Sequence, residues 1–329
     1  MKYKLLTNNK ATISDFERFL EVWNNDSKSI QQQTSGSTGV PKKIEIPKWK
    51  MKASAKMTSD FFHLNKSNTS LLCISPNYIG GKMMIVRSLL YDMKLYVADV
   101  SSNPIKELEE NIDFAAMVPL QVDTILKESP EKLDLIKYLI IGGAPVSLGL
   151  EKQLQNRKCI AYSTYGMTET VSHIALKKLD NKNTPFKAIG KASFINNDGE
   201  LIINSPELKI KHLNTNDIVD LIDNYHFHWR GRKDFVINSG GVKINPEELE
   251  QKIKSEIKMN DFIVSSLQDV TYGEKVIIIC EEHTFSAIEH LVNNWCFERY
   301  EKPKEIFIIE HLPLTKNGKI DRVAARSKI

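Results

Sequence analysis

The feature that most constrains this chain is an alternation. Short apolar runs at 71–75, 96–98, 114–118, 138–141 and 159–162 are separated by segments long enough to be helices. That pattern predicts βαβ units and a largely parallel sheet. Parallel sheets present ligand loops at the carboxyl ends of their strands. Those ends carry Ser75-Pro76-Asn77, Gly142-Gly143-Ala144-Pro145 and Ser163-Thr164-Tyr165-Gly166, so a site is expected there. Ahead of the alternation, Ser14 and Glu17 form a capping-box pattern, and Phe16, Phe19, Leu20 and Trp23 recur at helical spacing. A helix is therefore expected over about 14–24, and a second over about 48–64.

Beyond residue 173 the apolar runs shorten and alternate with polar residues (174–176, 201–203, 218–222, 226–229). Turn residues such as Asn197-Asp198-Gly199 lie between them, which reads as an antiparallel subdomain. The charged, glycine-containing stretch Arg230-Gly231-Arg232-Lys233-Asp234 is followed by a compact α/β pattern. Helices are expected near 246–256 and 285–297, and strands at 262–266, 275–280 and 306–309. The boundary is placed near Gly231, giving domains 1–230 and 231–329.

Composition narrows the functional classes. With 329 residues the chain is about twice a usual domain of roughly 150, and 41% hydrophobic with 26% charged residues is a globular balance. Lys and Arg total 45 against 41 for Asp and Glu, a net charge of +4 without a long basic block, so nucleic acid is not expected as a partner. Cys73, Cys159, Cys280 and Cys296 are widely spaced, and Met1-Lys2-Tyr3-Lys4 lacks a signal-peptide core. No run approaches the ~18 apolar residues of a membrane span. A reduced, cytoplasmic protein without membrane insertion is the expectation.

Four loops carry candidate chemistry. Thr34-Ser35-Gly36-Ser37-Thr38-Gly39-Val40-Pro41-Lys42 combines hydroxyls, glycines and a lysine, as a phosphate-wrapping loop does. Pro41 stands where a Walker A motif requires its second glycine, so that motif is absent; a polar linker is the plainer alternative. In Tyr165-Gly166-Met167-Thr168-Glu169, Glu169 stands where a carboxylate can hold Mg²⁺ against phosphates, or simply opens a helix. Asp217, in Thr215-Asn216-Asp217, and Arg232 are candidates to hold a sugar, or are solvated surface groups. Lys319, in Pro313-Leu314-Thr315-Lys316-Asn317-Gly318-Lys319-Ile320-Asp321-Arg322, sits on a turn in a basic tail. His226 and His228 alternate on a strand but lack further ligands at recognisable spacing. Serine-hydrolase and dinucleotide motifs are absent, and no cysteine sits in a nucleophile motif.

Taken in order, T-S-G-S-T-G-V-P-K (34–42), G-G-A-P (142–145), Y-G-M-T-E (165–169), G-R-K-D (231–234), S-G-G-V-K-I-N-P-E-E-L-E (239–250) and P-L-T-K-N-G-K-I-D-R (313–322) resemble the adenylate-forming superfamily of acyl-CoA synthetases, adenylation domains and luciferases. The resemblance implies an α/β fold: a large N-terminal domain with a parallel α/β sheet plus an antiparallel β subdomain, and a small mobile C-terminal α+β domain. It also implies a two-step reaction using ATP and Mg²⁺, in which a carboxylate becomes an acyl-adenylate and a thiol such as CoA then displaces AMP. On the family pattern, the loop Thr34, Ser35, Gly36, Ser37, Thr38, Gly39 and Lys42 holds phosphates, and Glu169, beside Thr168, holds Mg²⁺. Gly142, Gly143, Ala144, Tyr165 and Gly166 border adenine and the acyl group, and Asp217 and Arg232 hold the ribose. Lys319 bridges the carboxylate and the α-phosphate in the first step. Asp234 is the hinge, and Ser239-Gly240-Gly241 serves the thiol step.

The chain departs from that pattern in three places. Only 33 residues precede Thr34 where the family has well over a hundred, so the front subdomain is mostly absent. The family's T-G-D reads Thr215-Asn216-Asp217, and Asn77-Tyr78 replaces an aromatic–histidine pair. The shortened front, with Ile141 to Ser147 and Ser163 to Thr170, looks most like the 2-succinylbenzoate–CoA ligases of bacterial menaquinone synthesis. An aromatic dicarboxylate wants a cation in its pocket. Arg87 on an expected helix over 80–95, Lys82, Ser172 and His173 are the candidates, with a surface salt bridge the alternative role for the two cations. Adenylation for transfer to a carrier protein, and a non-catalytic nucleotide-binding module, are the competing readings.

Overall fold

The computed structural model describes residues 2–33, 43–180, 183–294, 297–314 and 320–329. The phosphate-loop residues Thr34 to Lys42, and Lys319, lie outside the described residues. The first elements are β1 (Tyr3–Leu5), α1 (Lys10–Asn24), β2 (Ser29–Gln33), β3 (Lys43–Pro47) and α2 (Lys48–Phe62). The expected alternation then follows as β4 (Thr69–Leu72), α3 (Ile79–Leu90), β5 (Lys94–Val97), β6 (Ile112–Met117), α4 (Pro119–Glu128), β7 (Ile136–Ile141), α5 (Leu148–Leu154) and β8 (Ile160–Gly166). Strands β5, β4, β6, β7 and β8 lie side by side and parallel. Leu71 and Leu72 enter different cores because successive strand residues point to opposite faces. Burial on both faces explains why these strands read as continuous apolar runs.

Helix α1 begins earlier than its capping box predicts. Asn9 is the cap, accepting from the backbone N–H groups of Ala11 and Thr12, so Ser14 and Glu17 lie inside the helix. Its apolar residues Phe16 and Phe19 are buried. Strand β1 pairs parallel to β5 at the sheet edge. From α1, Asp15 accepts from Asn77 Nδ2 at 2.6 Å and Arg18 donates to Asn77 Oδ1 at 2.9 Å, pinning the loop after β4.

The antiparallel part comprises β9 (His173–Lys178), β10 (Phe186–Ala188), β11 (Ser193–Asn197), β12 (Glu200–Ser205), β13 (Ile210–Asp223) and β14 (His226–Arg232). It is not a separate layer. β9 pairs antiparallel with β8, and one twelve-stranded sheet runs β1-β5-β4-β6-β7-β8-β9-β10-β14-β13-β12-β11. Chain order reverses direction between β4 and β6, which makes their carboxyl ends a topological switch point where α/β sheets take ligands.

After β14 come β15 (Ile237–Ser239), β16 (Val242–Ile244), α6 (Pro246–Ile257), β17 (Phe262–Asp269), β18 (Gly273–Glu281), α7 (Glu282–Asn294), β19 (Glu305–Ile309) and α8 (Arg322–Arg326). These strands form a second sheet whose cores draw only on residues from 237 onward. Helix α6 starts firmly because Asn245 caps it, Pro246 occupies its first position, and Glu247 and Glu248 face the positive end of its dipole.

Candidate active site

The turn following β8 is tied from within. Thr170 Oγ1 accepts from the Met167 N–H at 3.0 Å and donates to the Ser172 carbonyl at 2.7 Å. Val171 is held at φ +67°, a conformation β-branched residues avoid and one that costs about 1–3 kcal/mol. The turn folds back so tightly that a Cβ on Gly166 would collide with the Ser172 carbonyl and the His173 backbone. Glycine is therefore required, and the result is a sharp separation of neighbours: Glu169 is exposed, Thr168 half-buried, and Val171 and His173 are buried beneath. The Glu169 carboxylate makes no hydrogen bond or ion pair among the described residues. It is a hard oxygen donor open to solvent, which suits Mg²⁺, a cation that keeps several waters and shares itself with substrate phosphates.

Beneath this turn lies a chain of polar groups. Arg87 Nη2 donates to Ser172 Oγ at 3.3 Å, Ser172 Oγ lies 3.4 Å from His173 Nδ1, and His173 Nε2 lies 3.0 Å from Thr58 Oγ1. Thr58 Oγ1 in turn donates to the Ser54 carbonyl. Thr58 gives its only proton to the Ser54 carbonyl, so His173 Nε2 carries a proton and donates to Thr58. Ser172 Oγ accepts from Arg87 and has its own proton to give to Nδ1, which completes the chain around a neutral imidazole. Burial, and then the charge of Arg87, hold the His173 pKa well below the usual range.

Arg87 is 1% exposed, which excludes the surface salt bridge considered from sequence. Helix α3 ends at Leu90 and is buried on nearly every side from Gly81 to Ser88, so no polar face was available to it. The guanidinium lies over the Phe114 ring, its Nε has no hydrogen-bond partner, and no ion pair to it is found among the described residues. Burial pushes its pKa down to about 9, still protonated at neutral pH. Lys82 takes another place on the same helix. It donates to Gln32 Oε1 at 2.6 Å and to the Gln31 carbonyl at 3.3 Å, joining α3 to the strand that leads into the 34–42 loop. Burial, then Arg18, lower its pKa to about 8.

On the other side of β8, Asp217 gathers three donors. Tyr165 Oη donates to Oδ2 at 2.7 Å, Trp229 Nε1 donates to Oδ1 at 3.0 Å, and Arg232 Nη1 lies 3.9 Å from Oδ1. Burial and the Asp217 carboxylate raise the Tyr165 pKa well above its usual value, so the phenol remains a donor. Gly142, at the end of β7, packs so close to β8 that a Cβ would collide with Thr164 Oγ1. Gly143 and Ala144 follow it, the first exposed and the second half-buried. Tyr165, Gly166, Gly142, Asp217 and Arg232 thus converge around the carboxyl ends of β7 and β8.

Arg232 also donates to Asp234 at 2.7 Å, and Asn216 Nδ2 bonds both Asp234 oxygens at 3.0 and 3.2 Å. Asn245 Nδ2 donates to the Arg230 carbonyl, and Arg230 pairs with both Asp220 and Glu248. Ser239, Gly240 and Gly241 lie at the β15–β16 hairpin, with both glycines at positive φ and Ser239 buried. Trp229, Thr58, Phe114 and Asn216 were not singled out from sequence as site residues. Only Asn216 carried a signal, as the asparagine inside the family's T-G-D.

A model of the AMP-binding enzyme family matches residues 15–209, more than half of the chain. The chain belongs to the AMP-binding enzyme family. A 2-succinylbenzoate–CoA ligase of Listeria monocytogenes serotype 4b (strain F2365) is 27% identical over 341 residues, spanning 94% of this chain and 72% of that protein. Among solved structures, an acyl-CoA synthetase (AMP-forming)/AMP-acid ligase II-like protein from Dyadobacter fermentans DSM 18053 is 32% identical with a TM-score of 0.64. That match covers 98% of this chain and 95% of the other, so the two have similar extent. The o-succinylbenzoate coenzyme A synthetase of Bacillus subtilis, solved in complex with ATP and magnesium ion, shares the fold at 20% identity and a TM-score of 0.77, over 90% of this chain and 69% of that one. The mixed parallel and antiparallel sheet described above is the AMP-binding enzyme fold.

Proposed function

We propose that this AMP-binding enzyme is a cytoplasmic acid–thiol ligase that converts 2-succinylbenzoate into 2-succinylbenzoyl-CoA, a step of menaquinone biosynthesis. The observation that carries the choice of acid is Arg87. An uncompensated buried guanidinium costs several kcal/mol, and a carboxylate is its natural bidentate partner. 2-Succinylbenzoate has two carboxylates: one is consumed in the reaction, and the other is free to pair with Arg87. The named relatives support the same acid.

In the first step a carboxylate oxygen of the acid attacks the α-phosphorus of ATP and pyrophosphate leaves. The loop of Thr34, Ser35, Gly36, Ser37, Thr38, Gly39 and Lys42 holds the departing phosphates, and Lys319 offsets the charge gathering at the α-phosphate. Glu169, beside Thr168, would hold Mg²⁺, which when bound neutralises phosphate charge. Asp217 and Arg232 hold the ribose, while Gly142, Gly143, Ala144, Tyr165 and Gly166 border adenine. Arg87, oriented by Ser172 and His173, holds the spectator carboxylate, and Lys82 keeps α3 joined to β2 through Gln31 and Gln32. Domains 1–230 and 231–329 then reorient about Asp234, bringing Ser239, Gly240 and Gly241 toward the thiol. The sulfur of CoA attacks the acyl carbonyl, its proton is released, and AMP departs with the adenylate oxygen.

Mass spectrometry of products from ATP, Mg²⁺, CoA and 2-succinylbenzoate tests the reading. The expected result is 2-succinylbenzoyl-CoA with AMP, lost in Lys319→Ala and reduced about 100-fold in Arg87→Gln by loss of orientation. No thioester from this acid, with turnover of a monocarboxylate instead, would overturn the choice of substrate.

A further inference from the structure

No apolar cluster joins the two domains among the described residues. The buried cores of the large sheet end at Phe227, and those of the small domain begin at Ile237. Polar contacts therefore set how the small domain is held, and such contacts can exchange without opening a core.

Asn245 makes the most specific of them. Its Oδ1 accepts from the Glu247 N–H at 3.1 Å and caps α6, while its Nδ2 donates to the Arg230 carbonyl of β14 at 2.7 Å. One amide group thus starts a helix of the small domain and grips a strand of the large one. Gly231 leaves the room for it, since a Cβ there would stand 2.4 Å from both polar atoms of the Asn245 amide. Beside this contact, Arg230 Nη1 lies 3.0 Å from Glu248 Oε1 on the first turn of α6, and the same guanidinium pairs with Asp220 on β13.

Asp234 lies between Arg230 and Asn245 in the chain. A turn of the backbone at 234 carries Asn245 and Glu248 away from Arg230, so the contact belongs to one orientation of the small domain. Resting on the ligase reading above and its hinge at Asp234, we propose that Asn245 is a positioning residue. Its amide, supported by Glu248, holds the small domain in the orientation seen here and so sets the balance between the adenylation and thiol steps. A hydrogen bond of this kind changes an equilibrium by about fivefold. When the orientations exchange faster than either step, the ratio of the two step rates shifts by that factor, whichever orientation is favoured.

The test uses the full chain with Mg²⁺. ATP–pyrophosphate exchange with 2-succinylbenzoate reads the first step, and AMP release by CoA from supplied 2-succinylbenzoyl-adenylate reads the second. Asn245→Asp and Asn245→Ser both keep an oxygen to cap α6; the first offers the Arg230 carbonyl no donor, and the second is one bond shorter. Both are expected to shift the ratio of the two rates about fivefold in the same direction, with a melting temperature within about 3 °C of the wild type. Glu248→Gln should shift the ratio the same way by about twofold, as loss of an exposed ion pair does. An unchanged ratio, a parallel fall of both rates with a lowered melting temperature, or opposite shifts among the three variants would each overturn the positioning role and leave the ligase reading standing. A wild-type protein inactive in both steps would overturn the ligase reading, and this inference with it.

Discussion

Two clusters flank the turn carrying Glu169, and they are built on opposite principles. On one side, Asp217 has both oxygens engaged by Tyr165 and Trp229, and Arg232 stands beside it, itself held by Asp234. On the other, Arg87 is buried with an unpartnered Nε and no ion pair among the described residues. The first cluster pairs its charges within the protein, although Arg232 Nε, like Arg87 Nε, has no hydrogen-bond partner, and the proposed function assigns it to the nucleotide. The second holds a charge that no ion pair among the described residues offsets, and the proposed function assigns it to the second carboxylate of the acid. On that proposal, specificity sits where the charge is left unpaired.

The comparison breaks most visibly in the stability of variants. Asp217→Ala strands a buried phenol and an indole N–H and removes one of the two carboxylates beside Arg232, and is expected to cost about 3–5 kcal/mol, read from the urea midpoint. A cost under about 1 kcal/mol would mean that this cluster is not the paired one. Arg87→Met should do the reverse. It replaces an uncompensated buried charge with an apolar chain, so stability should be unchanged or rise by about 1–3 kcal/mol. The melting-temperature rise that 2-succinylbenzoate gives the wild type should disappear. If Arg87→Met destabilises strongly, Arg87 is part of the scaffold and the contrast fails.

The sequence made the parallel half legible because strands buried on both faces leave unbroken apolar runs, and most of those runs lie within or overlap β4 to β8. It misplaced the start of α1 because Asn9 and Ser14 are both good caps, and only the packing of Phe16 and Phe19 chooses between them. The antiparallel strands were legible as strands, yet not as a continuation of the same sheet, since that depends on the β8–β9 pairing across a turn held by a left-handed Val171. Arg87 was legible as a cation on a helix but not as a buried one: α3 is enclosed on nearly every side, so periodicity carries no information about which face is covered. Conversely, Tyr165, Asp217 and Arg232 were each unremarkable alone, and what identified them was their order with the other motifs.

The two sides should also part with pH. His173 is held neutral, with a folded pKa well below its unfolded value of about 6.5. Below about 6.5 the unfolded chain binds a proton that the native site refuses, so stability is present above that pH and falls as pH drops, by up to about 1.4 kcal/mol per unit. Glu247, raised to about 7 by burial, has the opposite sign: between its unfolded value, about 4.5, and 7 it is the native state that keeps the proton, so rising pH weakens it. Urea denaturation from pH 5 to 8 should show the acid-side slope reduced in His173→Gln and the opposing contribution removed in Glu247→Gln. An unchanged slope in His173→Gln would show that the imidazole is not the neutral link between Ser172 and Thr58.

The smallest effect belongs to an exposed contact between β13 and Asp234. Asn216 bonds both oxygens of Asp234, but the contact is exposed, so Asn216→Ala should change stability by no more than about 1 kcal/mol. Its consequence lies elsewhere. Where the family has glycine, the Asp234 carboxylate has no such neighbour, and with the hinge proposed at Asp234 the amide here must release it each time the backbone turns. A hydrogen bond of that size is a factor of about five in a rate. Stopped-flow measurement of AMP release after mixing preformed acyl-adenylate complex with CoA should be about two- to fivefold faster in Asn216→Gly and Asn216→Ala than in the wild type. Unchanged release would confine Asn216 to the surface and leave Arg232 as the residue that holds Asp234.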